Sequence, residues 1–338
     1  MIVVMLVGGE GTRLRPLTWR TPKCLVPIVN RPFLEHALDH LRGHGFRDVV
    51  LAVAANDLAE KIRAVAGDGS GFGVKLHYSV EQTPLGSAGA FKLVEPLLAG
   101  KTFVVMNGDI LTDLDLTAMV EAHRVNRATA SISLKEVEDP SAFGVVAIDA
   151  AGWISRFVEK PPREEAPSTW INAGAWVFEP KVLELIPPAT HVMVEHNLFP
   201  RLIEQGEPVF GYRTGGFWVD IGTPQRYLDV NLDLAGREGG RIVGDNVTLG
   251  ADAKLEGRVV VGAGSSLGAG STTRDSVLWD GVSVGGGARV EGSVLASRVW
   301  IAADAAVKGA VLGHEARVLG SNPPAGLRLE PGESWPPG

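Results

Sequence analysis

Residues 2–18 read IVVMLVGGEGTRLRPLT. The apolar run from Ile2 to Val7, which ends at a glycine, predicts a buried first strand. The glycines at positions 8, 9 and 11 leave backbone N–H groups open to a ligand, and Arg13 can hold two anionic oxygens at once. The stretch therefore predicts a strand followed by a loop that suits a polyphosphate.

Two better-known phosphate loops are excluded by the residues of this stretch. A Walker A loop needs Lys and then Ser or Thr directly after its last glycine, where this chain has Thr12 and Arg13. A dinucleotide-binding fingerprint needs a third glycine that opens a helix, and Leu14 and Pro16 do not fit one here. What remains is a glycine-rich turn that carries one arginine.

Beyond this stretch, residues 1–235 alternate short apolar runs with amphipathic helical patterns. This alternation predicts a mostly parallel sheet with helices on both faces, and a more strand-rich pattern after Thr129 makes the sheet mixed. The predicted strands are 2–7, 48–54, 74–80, 102–106, 129–135, 143–148, 153–158, 170–178 and 208–213. The predicted helices are 32–44, 57–66, 88–98, 116–127, 180–186, 195–205 and 224–234. We therefore expect an α/β Rossmann-like domain.

Residues 242–318 carry a six-residue repeat. Its aliphatic position falls, before the register slips, at Val243, Leu249, Leu255, Val261, Leu267 and Thr273. Glycine follows directly at Gly244, Gly250, Gly262 and Gly268. This pattern predicts a parallel β-helix in which three hexapeptides make a coil of about 18 residues, with about four coils in all. We expect the repeated glycines to turn the corners of the coils.

The distribution of glycine marks the boundary between the two patterns. Of the 42 glycines, 20 lie within residues 239–338. We predict an α/β domain at 1–235, a linker at 236–241, a β-helix at 242–320 and a Pro/Gly-rich tail at 321–338.

The overall composition narrows the class of protein. A net charge of −7 and the absence of a Lys/Arg run argue against nucleic acid as a partner. The single cysteine, Cys24, excludes an internal disulfide and a multi-cysteine metal site, and it fits a reducing cytoplasm. The apolar run at the N-terminus is too short for a signal peptide or a membrane span, so no membrane partner is expected.

Two motifs carry a resemblance to a known family. The first stretch fits the pattern GGxGTRLxPLT, and residues 22–27, PKCLVP, fit PKxLVP with a slight departure at Cys24. At this spacing the chain resembles the nucleotide-sugar pyrophosphorylases, which are sugar-1-phosphate nucleotidyltransferases. The resemblance covers nearly the whole chain and implies that the β-helix is left-handed. It continues through EQTPLGSAG at 81–89, NGD at 107–109, FVEKP at 157–161, NAG at 172–174 and WVDIG at 218–222.

The resemblance implies transfer of a nucleotidyl group from an NTP to a sugar 1-phosphate, with release of pyrophosphate and with Mg²⁺ as cofactor. Within the family, the motifs look most like those of enzymes that make GDP-mannose from GTP and mannose 1-phosphate. A sugar phosphate is already ionised near pH 7, since its second pKa is about 6, so no general base is needed. Catalysis then depends on positioning and charge neutralisation.

The family pattern implies a role for individual residues. The catalytic set is Arg13 at the leaving phosphates, Lys23 near the α-phosphate, Asp109, and Lys160 at the sugar phosphate. The other nucleotide-binding residues are Leu6, Gly8, Gly9, Gly11, Thr12, Glu81, Pro84, Gly86, Ser87, Asn107 and Gly108. The other sugar-binding residues are Gly144, Glu159, Asn172, Gly174 and Trp218, although the tryptophan suits a core position equally well.

Two carboxylates are the predicted metal ligands. Asp109 follows the apolar run 102–106, which assigns it to the carboxyl edge of the sheet, where α/β proteins bind ligands. Asp220 follows another short apolar run. Carboxylates from two distant segments can hold one Mg²⁺ while phosphate oxygens complete its octahedron.

Glu81 leads to a prediction about the base. In thymidylyl- and uridylyl-transferring relatives the matching position is commonly glutamine. Guanine presents two adjacent donors, N1–H and N2–H₂, which one carboxylate accepts together, whereas a carboxylate repels the carbonyl oxygens of thymine. In a direct contact Glu81 therefore favours guanine by about 1–3 kcal/mol.

Three alternative functions stay open. The nearest is a thymidylyl- or uridylyltransferase that acts on glucose 1-phosphate. A non-catalytic regulatory homologue should have lost Arg13, Lys23 or Asp109, which this chain keeps. A hexapeptide acyltransferase needs a catalytic histidine, and His314, the one histidine in the repeat region, is interpreted as an exposed loop residue. The β-helix is expected instead to serve assembly into a homo-oligomer, with a dimer as the first expectation.

Overall fold

The computed structural model describes residues 1–98 and 100–337. It contains two compact units, Met1–Gly9 with Glu35–Trp218, and Glu10–Leu34 with Val219–Gly338. The second unit therefore combines the C-terminal part of the chain with a segment from near its start. The boundaries predicted above follow the chain linearly, and they stay a prediction. Across the described residues, no helix combines the length and the apolar character that a membrane crossing requires.

The first unit is built on a nine-stranded mixed sheet. Seven of its strands lie in the spatial order Ile154–Glu159, Gly144–Ile148, Trp170–Phe178, Phe103–Asn107, Ile2–Leu6, Asp48–Ala54 and Lys75–Glu81. The other two are Ala130–Glu136, which pairs with Trp170–Phe178, and Val209–Thr214, which pairs with Ala130–Glu136. The sheet strands up to Asn107 are mutually parallel, and the later ones add antiparallel pairs. All nine predicted strands are present, so the predicted α/β architecture is confirmed.

Helices pack against this sheet. They are Phe33–Gly43, which begins in the second unit, Asp57–Ala66, Gly86–Leu93, Glu95–Leu98, Leu116–Val125 and Phe199–Glu204. The predicted helix 88–98 is split, because Pro96 has no N–H to continue the hydrogen-bond ladder. The predicted helix 195–205 begins as a π-helix, Val194–Leu198, and the predicted helix 180–186 is a 3₁₀ helix, Pro180–Leu185. Further regular elements are the short strands Ile110–Thr112 and Trp218–Asp220 and the 3₁₀ helices Ser70–Phe72 and Arg163–Glu165.

The second unit contains a parallel β-helix with three faces. The first sheet comprises Arg241–Val243, Val259–Val261, Val277–Leu278, Val294–Leu295, Val311–Leu312 and Arg328–Leu329. The second comprises Thr248–Leu249, Ser266–Leu267, Ser283–Val284, Trp300–Ile301, Arg317–Val318 and Ser334–Trp335. The third comprises Lys254–Glu256, Thr272–Arg274, Arg289–Glu291 and Ala306–Lys308. The β-helix thus extends past the predicted four coils and into the predicted tail.

The register slip seen in the sequence is a change in coil length. Thr248 pairs with Ser266, and Ser266 pairs with Ser283, so the second of these coils is shorter than the first by a single residue. Every later coil keeps the shorter spacing, as the pairs Trp300 with Arg317 and Arg317 with Ser334 show. Strands therefore stay stacked in register although the six-residue period is broken.

The repeated glycines lie at the corners of the coils, as predicted, where each directly precedes the two turn residues. The carbonyl groups of Gly250 and Gly268 accept the hydrogen bond that closes the corner turn, from Ala253 and Ser271. Gly244, Gly250, Gly262 and Gly268 have no left-handed backbone, so the need for glycine at these positions does not come from φ. They lie against the next coil, and a Cβ on Gly244 would lie 2.7 Å from the backbone nitrogen of Ala263. The corners use other residues in the left-handed region, among them Asn246, Asp252, Gly264, Gly270 and Asp304.

Besides the β-helix, the second unit contains the segment Glu10–Leu34 and the last helix. The segment holds the 3₁₀ helices Thr12–Leu14 and Lys23–Leu25 and the paired strands Pro27–Ile28 and Arg31–Pro32. The last helix, Pro224–Arg237, begins at the N-cap Thr223, whose Oγ1 accepts from the Arg226 N–H. It ends inside the stretch that was predicted as a linker.

Candidate functional site

The glycine-rich stretch turns sharply at Gly11. Its φ of 62° lies in the left-handed region, which a side chain rarely adopts. Thr18 Oγ1 donates to the Gly11 carbonyl at 2.7 Å, and a Cβ on Gly11 would lie 3.2 Å from Lys23 Cβ. The turn thus brings the glycine-rich stretch next to the segment that carries the second cation.

Three of the predicted site residues meet in the second unit. Lys23 Nζ lies 3.9 Å from Asp220 Oδ1, and both side chains are largely buried. The third residue is Arg13, which lies with Asp220 close to Gly222. A Cβ added to Gly222 would lie 2.9 Å from Asp220 Oδ1 and 3.1 Å from Arg13 Nη2. Arg226, which the sequence analysis missed, donates from Nη1 to Asp220 Oδ2 at 3.1 Å. The only feature of the sequence that could have pointed to Arg226 is its position in the first turn of the helix that follows the WVDIG motif.

In the first unit, Asp109 follows the strand Phe103–Asn107, as predicted. The intervening Gly108 donates its N–H to the Leu6 carbonyl at 2.9 Å, and a Cβ there would lie 2.7 Å from the same oxygen. This contact holds the turn before Asp109 against the first strand. The family motif NGD thus has a packing reason for its glycine.

The NAG motif lies on the neighbouring strand. Gly174 has a φ of 75°, and an added Cβ would lie 2.8 Å from Asn107 Nδ2. Asn172 Oδ1 accepts from the Gly174 N–H at 3.0 Å and from Trp176 Nε1 at 2.8 Å. The side-chain oxygen of Asn172 is therefore engaged in hydrogen bonds within the protein. Its side-chain NH₂ group is the part that suits a sugar hydroxyl.

The EKP motif forms a second charged group in the first unit. Glu159 Oε1 lies 2.8 Å from Lys160 Nζ, and the glutamate is 15% exposed whereas the lysine is 62% exposed. Gly144 pairs with Glu159, and a Cβ on it would lie 2.8 Å from Glu159 Oε2. Trp218 donates from Nε1 to the Ala173 carbonyl at 2.9 Å. The lysine is thus an accessible cation, and the glutamate is largely buried, with one carboxylate oxygen close to Gly144.

The predicted base-reading residue already has a partner within its own loop. Glu81 Oε2 accepts from the Leu85 N–H at 3.0 Å. Partial burial raises the pKa of the Glu81 carboxyl. One oxygen of the carboxylate therefore shapes the loop that ends at Gly86.

A carboxylate that the sequence analysis missed binds the next residue of that loop. Ser87 Oγ donates to Glu195 Oε2 at 2.9 Å and accepts from the Val194 N–H at 2.8 Å. Burial raises the pKa of Glu195, and the nearby charge of Glu159 adds to this effect. Glu195 lies in the π-helix, an irregularity that is frequent at functional sites. No sequence signal marks it, because its segment reaches Ser87 only through the fold.

Two residues with reactive side chains are withdrawn from solvent. Burial raises the pKa of the Cys24 thiol to about 12, so it stays protonated and is no nucleophile. His314 is 8% exposed and shares a 2.9 Å hydrogen bond with Thr21 Oγ1. The expectation that His314 is an exposed loop residue is therefore wrong, because contacts with the segment Glu10–Leu34 and with Trp279 cover it.

The two predicted metal ligands lie one in each unit, Asp109 in the first and Asp220 in the second. Among the described residues, no group of three or more His, Cys, Asp or Glu side chains could hold a metal ion. The carboxylates of Asp109 and Asp220 supply the hard oxygen ligands that Mg²⁺ prefers, and Mg²⁺ usually takes further oxygens from phosphate.

Family comparisons match both parts of the chain. The model described as nucleotidyl transferase matches residues 2–237, and the model described as GlmU-like, C-terminal hexapeptide matches residues 252–322. The latter match agrees with the predicted left-handed form of the β-helix.

Several curated proteins are similar to this chain. A mannose-1-phosphate guanylyltransferase of Mycobacterium tuberculosis is 37% identical over 82% of this chain and 80% of its own length. A UTP–glucose-1-phosphate uridylyltransferase of Synechocystis is 40% identical over 70% of this chain and 64% of its own length. The catalytic subunit beta of mannose-1-phosphate guanylyltransferase of Drosophila pseudoobscura is 40% identical over 67% of this chain. The match spans 60% of that subunit, so this chain covers less than two thirds of the second and third relatives.

Two solved structures are similar in fold. A putative glucose-1-phosphate thymidylyltransferase from Bacillus anthracis, in complex with a sucrose, has a TM-score of 0.62 and 26% identity. That match covers 68% of this chain and 94% of the other. HddC from Yersinia pseudotuberculosis, complexed with GMP-PN, has a TM-score of 0.59 and 27% identity over 69% of this chain and 99% of the other.

Proposed function

Because the chain belongs to the nucleotidyl transferase family, we propose that it transfers a guanylyl group from GTP to mannose 1-phosphate and releases pyrophosphate. The observation that carries the proposal is the cluster of Arg13, Lys23 and Asp220 beside the glycine-rich turn. Such a cluster suits a reaction whose catalysis consists of positioning and charge neutralisation.

The reaction is an in-line displacement at the α-phosphorus of the nucleotide. The ionised phosphate oxygen of the sugar attacks, and the bond from the α-phosphorus to the bridging oxygen of pyrophosphate breaks. Arg13 neutralises the leaving phosphates, and Lys23 holds the α-phosphate, whose charge increases during the attack. Lys160 holds the sugar phosphate, and its 62% exposure leaves the ammonium group accessible to that ligand.

The sugar and the base are bound by groups of the first unit. Glu159 accepts from paired hydroxyls of the hexose, and the NH₂ group of Asn172 donates to another. Glu81 accepts from N1–H and N2–H₂ of guanine, which requires its carboxylate to accept from the base as well as from the Leu85 N–H. Ser87 and the backbone near Gly86 complete the nucleoside site.

Members of this family use a divalent metal, and we propose Mg²⁺ with Asp109 and Asp220 as its protein ligands. When bound, the ion neutralises phosphate charge. Addition of EDTA should abolish transfer, and Mg²⁺ in excess should restore it. An Asp109→Asn variant that keeps wild-type turnover at limiting Mg²⁺ would remove Asp109 from this role.

A uridylyl transfer to glucose 1-phosphate is the second candidate. The observation that favours it is the 40% identity to the Synechocystis uridylyltransferase, which is as high as that of the guanylyltransferase subunit. Against it stands Glu81, whose carboxylate repels the carbonyl oxygens of a pyrimidine.

One experiment separates the two candidates. The protein is incubated with Mg²⁺, an equimolar mixture of GTP, UTP, dTTP, ATP and CTP, and a panel of hexose 1-phosphates. Mass spectrometry then identifies the nucleotide-sugar, for which we expect GDP-mannose. A Lys160→Ala variant is the control for adventitious activity. A UDP- or dTDP-hexose as the major product would overturn the guanylyl assignment, and no product at all would overturn the enzyme assignment.

We also propose that the chain works as a homo-oligomer in the cytoplasm. The support for self-association is the apolar surface that the β-helix exposes, including Leu249 at 48% and Leu319 at 50% exposure. The single cysteine is the support for a reducing compartment.

A further inference from the structure

A path of buried side chains runs from the β-helix to the segment Glu10–Leu34, which belongs to the same unit. At the end of the path that contacts this segment lies Tyr227, a fully buried residue of the last helix. Its hydroxyl donates to the Pro27 carbonyl. Burial raises the pKa of that hydroxyl above its usual range, so it stays protonated and remains a donor. Trp279, on the β-helix, donates from Nε1 to the same hydroxyl at 2.9 Å.

The path continues through ring contact to a second hydrogen bond. The rings of Trp279 and His314 meet edge to face, with their centroids 5.3 Å apart. His314 Nε2 and Thr21 Oγ1 then share a hydrogen bond of 2.9 Å. The path therefore leaves the segment at Pro27 and returns to it at Thr21, on the two sides of Lys23.

Further contacts hold the same segment to the β-helix and to the last helix. Arg20 Nη1 lies 2.8 Å from Glu315 Oε2, at the corner next to His314. Asn30 Nδ2 donates to the Val261 carbonyl at 2.8 Å, and the Val29 N–H donates to Asn231 Oδ1 at 2.8 Å.

The backbone of the segment is strained where these contacts occur. Val29 and Asn30 have φ values of 43° and 64°, in the left-handed region that β-branched residues in particular avoid. Val29 and Asn30 are the two loop residues of the hairpin formed by Pro27–Ile28 and Arg31–Pro32, and a two-residue hairpin turn of this kind has positive φ at both positions. The bonds to Val261 and Asn231 then hold this turn against the β-helix and the last helix.

We propose that the β-helix keeps Lys23 in its working position through Tyr227, Trp279 and His314, which makes these three positioning residues for nucleotidyl transfer. The proposal rests on the proposed function for the role of Lys23. The β-helix then acts on the reaction within one chain, in addition to any part in assembly.

The experiment compares variants that break the path with a matched change elsewhere in the β-helix. Trp279→Phe removes the Nε1–H donor and keeps an aromatic ring, and His314→Ala removes the bond to Thr21. His314→Gln offers an amide to the same threonine and is the rescue variant. Ile301→Val is the control, because it removes one methyl group from the buried core of the β-helix.

Two readouts are taken on the full-length variants well below their melting temperatures. Steady-state kinetics should show kcat reduced about tenfold to a hundredfold in His314→Ala, since small misplacements of a positioned group have costs of this size. The KM for the sugar 1-phosphate should stay unchanged, because Lys23 does not bind the sugar, and His314→Gln should recover most of kcat. Amide hydrogen exchange should accelerate in peptides that span residues 20–28.

The proposal is overturned if His314→Ala and Trp279→Phe leave exchange at residues 20–28 as slow as Ile301→Val does. It is also overturned if exchange accelerates while kcat stays at the level of that control. If the wild-type protein transfers no nucleotidyl group at all, the proposed function fails, and the exchange measurement still decides whether the path holds the segment.

Discussion

Glu81 and Glu195 are two partly buried carboxylates that bind neighbouring residues of one loop. Glu81 accepts from the Leu85 N–H, and Glu195 accepts from the Ser87 hydroxyl. Burial raises the pKa of both carboxyl groups. Each side chain thus has a structural role in this loop. The motif that contains Glu81 does not reveal that role, and Glu195 lies in no motif at all.

Glu81→Gln should weaken the discrimination between GTP and dTTP. The amide replaces one acceptor of a bidentate contact with a donor, and the loss should be about 1–3 kcal/mol, or roughly five- to hundredfold in relative kcat/KM. The Leu85 N–H keeps an acceptor in the amide oxygen, so the loop should keep its shape. The measurement is kcat/KM for both nucleotides, with the exposed Glu60→Gln as control. Equal ratios in Glu81→Gln and the wild type would exclude a direct contact with the base.

Glu195→Gln should change how stability depends on pH. Because the folded-state pKa of Glu195 is raised, its proton stabilises the fold fully below the unfolded pKa, and this contribution is lost as the pH rises through the raised value. Glutamine cannot ionise and suffers no such loss. The Tm of Glu195→Gln relative to the wild type should therefore be higher at pH 8 than at pH 5.

Glu207→Gln is the control of opposite sign for this prediction. Hydrogen bonds from Lys181 and Thr129 lower the pKa of Glu207, so its contribution is present above the unfolded pKa and is lost as the pH falls through the lowered value. The Tm of Glu207→Gln relative to the wild type should therefore be lower at pH 6 than at pH 3. A relative Tm of Glu195→Gln that does not change with pH would mean that Glu195 stays ionised without cost.

At the scale of elements, the helix Gly86–Leu93 is fixed by the segment that precedes the π-helix. The N–H groups of Ala88 and Gly89 both donate to the Val192 carbonyl, and the Val192 N–H donates to Leu85. Gly86 has a φ of 72°, and a Cβ there would lie 2.6 Å from the Val192 oxygen. Gly86, which we predicted to bind the nucleotide, is therefore required by packing between two segments.

Gly86→Ala should destabilise the fold more than Gly206→Ala does. Both glycines have left-handed backbone, which costs alanine about 1–2 kcal/mol, but Gly206 has open space around its Cα. The excess in Gly86→Ala measures the clash with the Val192 carbonyl. Urea unfolding followed by tryptophan fluorescence gives both values. Equal losses in the two variants would show that the segment around Val192 moves aside freely.

In the β-helix, local sequence predicts the strands and the corner positions of the glycines, but it does not give the reason why those positions require glycine. The aliphatic residues Val261, Leu267 and Val284 point into the core as their period requires. The reason is the close approach of the stacked coil to these glycines, which the one-dimensional period does not contain. The shortening of the coils by a single residue likewise breaks the sequence period without breaking the stack.

At the scale of the whole molecule, the chain should self-associate. Val243 and Leu249 of the first coil are 46% and 48% exposed, although they occupy the aliphatic position of the repeat, because no earlier coil covers them. Trp300 is 42% exposed on another part of the β-helix. Burying such apolar surface in a second copy would be favourable. Light scattering at micromolar concentration should give at least a dimer, and Leu249→Lys should weaken it if the first coil is the interface. A monomeric wild-type protein would contradict the prediction.

The amino-acid sequence by itself determined the α/β sheet and the β-helix, and it supplied most of the residues of the candidate site, whose roles stay a prediction. These features depend on local patterns, namely alternation of strands and helices, a six-residue period, and short motifs such as GGEGTR and PKCLVP. Each pattern is complete within a short stretch of chain, so it can be recognised without the fold.

Only the tertiary structure decided which distant residues support that site. Ser87 and Glu195 are 108 positions apart, and Thr21 and His314 are 293 positions apart. Such pairs form because buried polar groups must find partners wherever packing brings them, and packing is a property of the whole unit. For the same reason the segment Glu10–Leu34 joins the C-terminal unit, although the sequence analysis had assigned it to the α/β domain.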